Sequence, residues 1–134
     1  MKKITKKWLE YAKADLEGAE VLFKAAKSHW SYQLSVWHCH QAMEKALKGV
    51  IVEQSGEIKK IHDLVKLTQD SELELPRDFQ EYIDKLNPHY QSPRYPDIPY
   101  KGPIFRYTKE IARSHFNKTK EIILWIEKKL ILRN

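Results

Sequence analysis

The densest run of reactive side chains is HCHQAMEKALKG, residues 38–49, which brings His38, Cys39, His40, Gln41, Glu44, Lys45 and Lys48 together. On a helix, Val36, His40, Met43 and Leu47 share one side, which aims His40 at an apolar stripe. There it is read as a core histidine satisfied by one hydrogen bond. Trp37, Gln41, Glu44 and Lys48 share another face, read either as a partly exposed surface with a Glu44 to Lys48 pair worth about 0.3 kcal/mol or as a ligand or partner surface. Histidines two apart on a helix diverge, and there is no matching cysteine pair or Glu-x-x-His motif, so no metal site is expected. The 4 glycines stand apart at Gly18, Gly49, Gly56 and Gly102, so no glycine-rich phosphate loop exists and no cofactor is implied. Cys39 falls inside an apolar stripe, a poor setting for a thiolate nucleophile.

Two further places carry charge in a telling context. Asp15 belongs to the column Trp8, Asp15, Leu22 beside the first apolar stripe. It is either a solvated edge or half of a buried ion pair with Lys45 or Arg94, costly to desolvate unless well paired. In HYQSPRYPDIPY, neighbouring prolines stiffen the backbone around Arg94, Tyr95 and Asp97. Arg94 could offer a fork of donors to a phosphate, Tyr95 a stacking ring and Asp97 an acceptor or a clamp on Arg94. The alternative is that Arg94 and Asp97 lock the loop to the body of the fold while Tyr95 packs as cover.

The elements that must position these groups are helical. Leu9, Ala12, Leu16, Ala19, Phe23 and Ala26 alternate spacings of three and four, predicting a first helix over about 6–27. Tyr32, Val36, Cys39, Met43, Ala46 and Val50 repeat the pattern, with Gly56 placed as a C-terminal cap. Ile61, Leu64, Val65 and Thr68 begin a third helix that the acidic SELELP break splits before a second piece at 77–86. Prolines 88, 93, 96, 99 and 103 make residues 87–103 a loop that no helix can cross. Ile111, Ala112, Phe116, Thr119, Ile123, Ile126 and Leu130 mark a last helix over 104–130. No segment alternates like a strand. The expected fold is all-α, an antiparallel four-helix up-and-down bundle with a split third helix and a proline-rich loop before the last helix.

The chain has 134 residues, 42% of them hydrophobic and 31% charged, which suits one compact domain spanning 1–134. One cysteine cannot form an internal disulfide, and charges interrupt every candidate signal-peptide core in MKKITKKWLEYAKADLEGAE, so a cytoplasmic location is expected. No stretch approaches the roughly 20 apolar residues of a spanning helix, so no membrane association is expected. The formal charge of +6 is unevenly spread. Residues 70–84 hold six acids and one base, whereas 94–120 hold seven bases and two acids. An anionic partner would favour the second region.

DLEGAEVL, HQAMEKALKG, HDLVKL and RYPD occur in that order along nearly the whole chain. Together they resemble the HEPN domain family, small helical domains implicated in nucleotide and RNA binding. The resemblance implies a bundle of long helices, often a homodimer, commonly paired with a minimal nucleotidyltransferase in a toxin-antitoxin arrangement. Many such domains are metal-independent ribonucleases that pair an Arg with a His four to six residues later. None of Arg77, Arg94, Arg106 or Arg113 is followed by such a His here. Lys109 precedes His115 with five residues between, but an ammonium lacks the guanidinium fork, and His115 also suits a packing role. The expectation is therefore a nucleotide- or RNA-binding module whose surface joins Arg94, Tyr95, Asp97, His62, Asp63, Gln41 and Lys45. The alternative is a metal-independent ribonuclease with an altered site at Lys109 and His115.

Overall fold

The structure, a computed structural model, describes residues 1–25, 27–57, 60–90 and 105–132. These form α1 (Lys3–Ala25), α2 (His29–Ser55), α3 (Leu64–Ser71), α4 (Arg77–Leu86), a 3₁₀ turn (Asn87–Tyr90) and α5 (Lys109–Leu132), with no strand among the described residues. The expected all-helical class and the split third helix are both present. No helix among the described residues is long and apolar enough to cross a membrane.

The ends of α2 follow from its sequence. The Ser28 hydroxyl accepts from the Ser31 amide, and Gly56 closes the helix at φ 76°, a left-handed conformation natural to glycine, while its amide donates to the Val52 carbonyl. Between these caps α2 is the central element, contacting α1, α3, α5 and the 3₁₀ turn. Val36, Cys39, Met43, Ala46, Leu47 and Val50 are all fully buried. Small buried residues let α1 and α2 approach closely: Ala12 and Ala19 on one, Ala42, Ala46 and Gly49 on the other. A Cβ built on Gly49 would stand 3.2 Å from Trp8 Cβ.

Cross-helix contacts give the chain directions. Thr5 donates to Glu53 near one end of α1, and Ser35 donates to the Ala19 carbonyl near the other, so α1 and α2 are antiparallel. Lys13 pairs with Glu127 and the Phe23 ring meets Phe116, so α1 and α5 are antiparallel too. The split third helix is a true reversal. His62 meets Glu44 and Gln54 donates to the Ser71 carbonyl, so α3 runs alongside α2 in the same direction, and α4 then returns. The hairpin is closed at its open end, where the Asn87 side chain accepts from the Leu64 amide and donates to Asp63.

Two helix starts lie further along the chain than periodicity suggests. The Asp63 carboxylate caps α3 by accepting from Val65 and Lys66, leaving Ile61 and His62 outside the helix. Thr108 takes the same position for α5, its hydroxyl accepting from Ile111, so the helix begins at Lys109 rather than 104. Of the expected loop over 87–103, residues 87–90 form the 3₁₀ turn and the remainder lies outside the described residues.

Candidate functional site

The polar residues of α2 divide between two faces. Lys45 and His38, seven residues apart, point toward α1 and share the Asp15 carboxylate: Lys45 Nζ stands 2.5 Å from one oxygen and His38 Nδ1 2.9 Å from the other. Of the two readings open for Asp15, the ion pair with Lys45 is the one present. Burial by itself pushes the Asp15 carboxyl up, but the hydrogen bonds from His38 and Lys45 outweigh it and hold it below its usual 3.8.

Glu44 and Lys48 point the other way, toward the segment entering α3. Their pair is present at 2.9 Å, but both residues are buried, which corrects the expectation of a partly exposed face. The cause is tertiary: His62 Nδ1 covers Glu44 at 2.9 Å, and the Tyr90 ring stacks on His62 at 4.4 Å between ring centres. His40 is fully buried with its ring 5.4 Å from Tyr90 and its Nδ1 3.9 Å from Glu44. Gln41 lies half-buried on the same side of α2 as Glu44 and Lys48. Asp63 serves the cap described above. Of the residues expected on one surface, Lys45 faces α1, Gln41 shares the α2 face on which His62 meets Glu44, Asp63 caps α3, and Arg94, Tyr95 and Asp97 lie outside the described residues.

A third cluster lines a cleft of about 500 Å³ between α4, the 3₁₀ turn and α5. Tyr82, Lys85, His89, Phe105, Arg106 and His115 give it aromatic walls and cationic edges, with Lys118 at the rim. Lys118 is held by Asp78 at 2.8 Å. Lys85 and Arg106 make no ion pair with any described residue.

The two cleft histidines are fixed through their Nδ1 atoms. His115 Nδ1 lies 2.8 Å from the Tyr82 hydroxyl, which itself donates to the His115 carbonyl at 3.0 Å. His89 Nδ1 lies 2.9 Å from the Tyr107 hydroxyl. The imidazole centres are 5.0 Å apart, and Phe105 lies 4.1 Å from His89. Burial, reinforced by Lys85, lowers His115 to about 4, and burial with the His115 charge lowers His89 to about 4. Burial likewise pushes the Tyr82 hydroxyl well above its usual value. Both rings are therefore neutral near pH 7. Lys109 opens α5 six residues before His115, about 120° round the helix from it.

Sequence reasoning missed Tyr82, Lys85, His89, Phe105 and Arg106 as site residues. The signal available was the basic tract 94–120, which does contain Arg106 and Lys118. Cys39 is buried and its thiol is pushed up to about 12 by burial, the opposite of an activated nucleophile. Among the described residues no cluster of His, Cys, Asp or Glu is arranged to hold a metal.

Comparison with known proteins bears on what this arrangement serves. The chain is 32% identical to "Putative toxin MJ1304" of Methanocaldococcus jannaschii, over 90% of this chain and 84% of that protein. Its fold matches the crystal structure of TT1696 from Thermus thermophilus with a TM-score of 0.76 and 28% identity, covering 93% of this chain and 97% of that one. ST0689, described as an archaeal HEPN homologue, matches with a TM-score of 0.70 and 28% identity, covering 96% and 98%. The HEPN domain family matches residues 5–129, and the chain belongs to that family.

Proposed function

We propose that this HEPN domain, a single unit over residues 1–134, binds nucleotide or RNA through the cleft between α4 and α5. The observation that carries the reading is the lining itself: Lys85 and Arg106, free of ion pairs with described residues, beside the rings of Tyr82, Phe105, His89 and His115. Cations hold phosphate oxygens while π-faces accept bases without requiring a particular sequence. One wall of the cleft, from Phe105 to Lys118, belongs to the basic tract 94–120. Arg94, Tyr95 and Asp97 are proposed to add to this surface, and a homodimer is its proposed assembly. The similarity to a protein named as a putative toxin supports a toxin-antitoxin role, and a minimal nucleotidyltransferase is the proposed partner.

Titration of a fluorescent short RNA tests the binding. Wild type is expected to bind with salt-dependent affinity, and Arg106→Ala to weaken binding and reduce the salt slope by about 1. Equal binding by both proteins, or none, overturns the assignment. Arg94→Ala tests the adjoining segment in the same way. Sedimentation tests the dimer, and co-purification with a coexpressed nucleotidyltransferase tests the partner.

One observation favours a second reading, metal-independent ribonuclease activity. Two imidazoles 5.0 Å apart, beside Lys85 and Arg106, supply the groups needed to move protons at a ribose hydroxyl and a leaving oxygen. Cleavage of an RNA panel in the presence of chelator, lost in His115→Ala, is the expected result. Absence of cleavage under all conditions removes this reading.

A further inference from the structure

We propose that His115, with His89 beside it, takes up a proton when a phosphate group enters the α4–α5 cleft, so that the domain holds its ligand more tightly as the pH falls. The inference rests on the reading of this cleft as a site for a phosphate-bearing ligand.

The hydrogen bonds set the protonation state from which the change begins. The Tyr82 oxygen lies 2.8 Å from His115 Nδ1 and 3.0 Å from the His115 carbonyl, which can only accept; we assign its one proton to that carbonyl, which makes His115 Nδ1–H the donor to Tyr82. That tautomer leaves Nε2 as a lone-pair acceptor. Thr119, 2.9 Å from the same phenol oxygen, further fixes the arrangement. His115 is thus oriented like a base awaiting a proton, with no described carboxylate in the cleft lining to stabilise the resulting cation.

Every charged side chain in the cleft lining opposes that proton. Lys85 on α4, Arg106 ahead of α5 and Lys118 on α5 are cationic, and His89 stands 5.0 Å away on the 3₁₀ turn. The other titratable groups packed around the pair are the Tyr82 and Tyr107 phenols, the Cys39 thiol on α2, and His29 on α2, whose ring lies 5.5 Å from Tyr107. At the rim Asp78 and Glu121 are turned to Lys118, and Glu110 and Arg113 line the neighbouring pocket that shares Ser114 and Lys118 with the cleft. The missing negative charge must therefore come from the ligand, and a phosphate supplies it. Two imidazolium ions at this separation would repel, so the pair is expected to take up at most one proton per phosphate. The pKa near 4 of both free imidazoles agrees with this sequence of events.

The test is calorimetric titration with a short oligoribonucleotide lacking terminal phosphates, at about pH 6, in two buffers of different ionisation enthalpy. The oligoribonucleotide is an oligouridylate, whose phosphodiesters and uracil rings do not titrate in this range, so any proton taken up belongs to the protein. Wild type is expected to take up as much as one proton and to gain as much as about tenfold in affinity per pH unit on acidification toward pH 4. His115→Gln is expected to lose the uptake. Since this variant removes a buried group, the wild-type His115 imidazole is also titrated by NMR with and without the oligoribonucleotide, and an upward shift is expected on binding. Adenosine monophosphate provides a second arm read by the same NMR titration, because its own phosphate protonates near pH 6. An upward shift with the oligoribonucleotide assigns the phosphate to an RNA backbone, and a shift with the mononucleotide alone assigns it to a free nucleotide; either supports the proposal. Binding with no proton uptake and an unmoved His115 titration overturns the proposal and leaves the binding reading intact. Failure of both probes to bind overturns both.

Discussion

Asp15 on α1 and Lys45 on α2 are joined at 2.5 Å, and His38 occupies the other carboxylate oxygen at 2.9 Å. The Asp15 side chain is 11% exposed and Lys45 26%, so the pair ties α1 to α2 in a setting only partly screened by water. Charge at this depth is tolerated because each carboxylate oxygen has a donor.

Asp15→Asn is expected to cost about 2 kcal/mol, because it leaves the Lys45 ammonium without its counter-charge. Asp15→Leu combined with Lys45→Met is expected to lose less. Urea denaturation of both variants and wild type is the measurement. The Asp15 carboxyl is held below 3.8, so its contribution is present above that pH and is lost as pH falls through the lowered value. Asp15→Asn should therefore flatten the acid limb of the stability curve.

Glu44 and Lys48 are more deeply placed, with side chains 6% and 7% exposed. Glu44→Gln is expected to destabilise by about 3 kcal/mol, since a buried ammonium is left unpaired. Glu44→Gln with Lys48→Met should recover more than half of that loss. A double-mutant cycle by chemical denaturation would expose the coupling, and additive losses would contradict it.

His89 and His115 make stability pH-dependent in the folded domain itself. Both titrate at about 4 when folded, against an ordinary histidine value of 6.5, so the unfolded chain binds more protons between those values. Stability should be full above about pH 6.5 and decline as pH falls toward 4, by an amount on the order of 2–3 kcal/mol per imidazole. Urea midpoints across that range should show the decline, and His115→Gln should reduce its slope.

Cys39 should be inert in the native domain. Its thiol is buried and pushed up to about 12 by burial, so a thiol reagent at about pH 8 should react only as the domain opens. Comparing labelling rates in buffer and in denaturant checks this, and rapid native labelling would contradict it.

The helical stripes are readable in the sequence because burial on a helix repeats every three or four residues, and Leu9, Ala12, Leu16, Ala19 and Phe23 do so without interruption. Gly56 is readable because a left-handed residue is needed where α2 ends. Starts are harder. An apolar run continues back past Thr108 and Asp63, while the caps at those positions depend on single side-chain groups. The partner of Asp15 is available as one of two readings, because its column lies beside the stripe that α2 covers. The burial of Glu44 is not readable, since it depends on His62 and Tyr90 arriving from elsewhere in the chain. The His89 and His115 pair is obscured for the same reason: its two members come from different elements, while the prolines single out Arg94 and Tyr95 instead.

The central position of α2, capped at both ends and packed on three helices and the 3₁₀ turn, also ranks the parts of the domain by how they open. The amides of Val36 to Val50 lie where α2 packs on α1 and α5, so the middle of α2 is expected to exchange its hydrogens with solvent most slowly among the described helices. The short α4, lodged against α3, the 3₁₀ turn and α5, can come away while the α1–α2 hairpin persists. One wall of the cleft thus belongs to a loosely held helix among the described residues, and the hairpin behind it supplies the rigid frame.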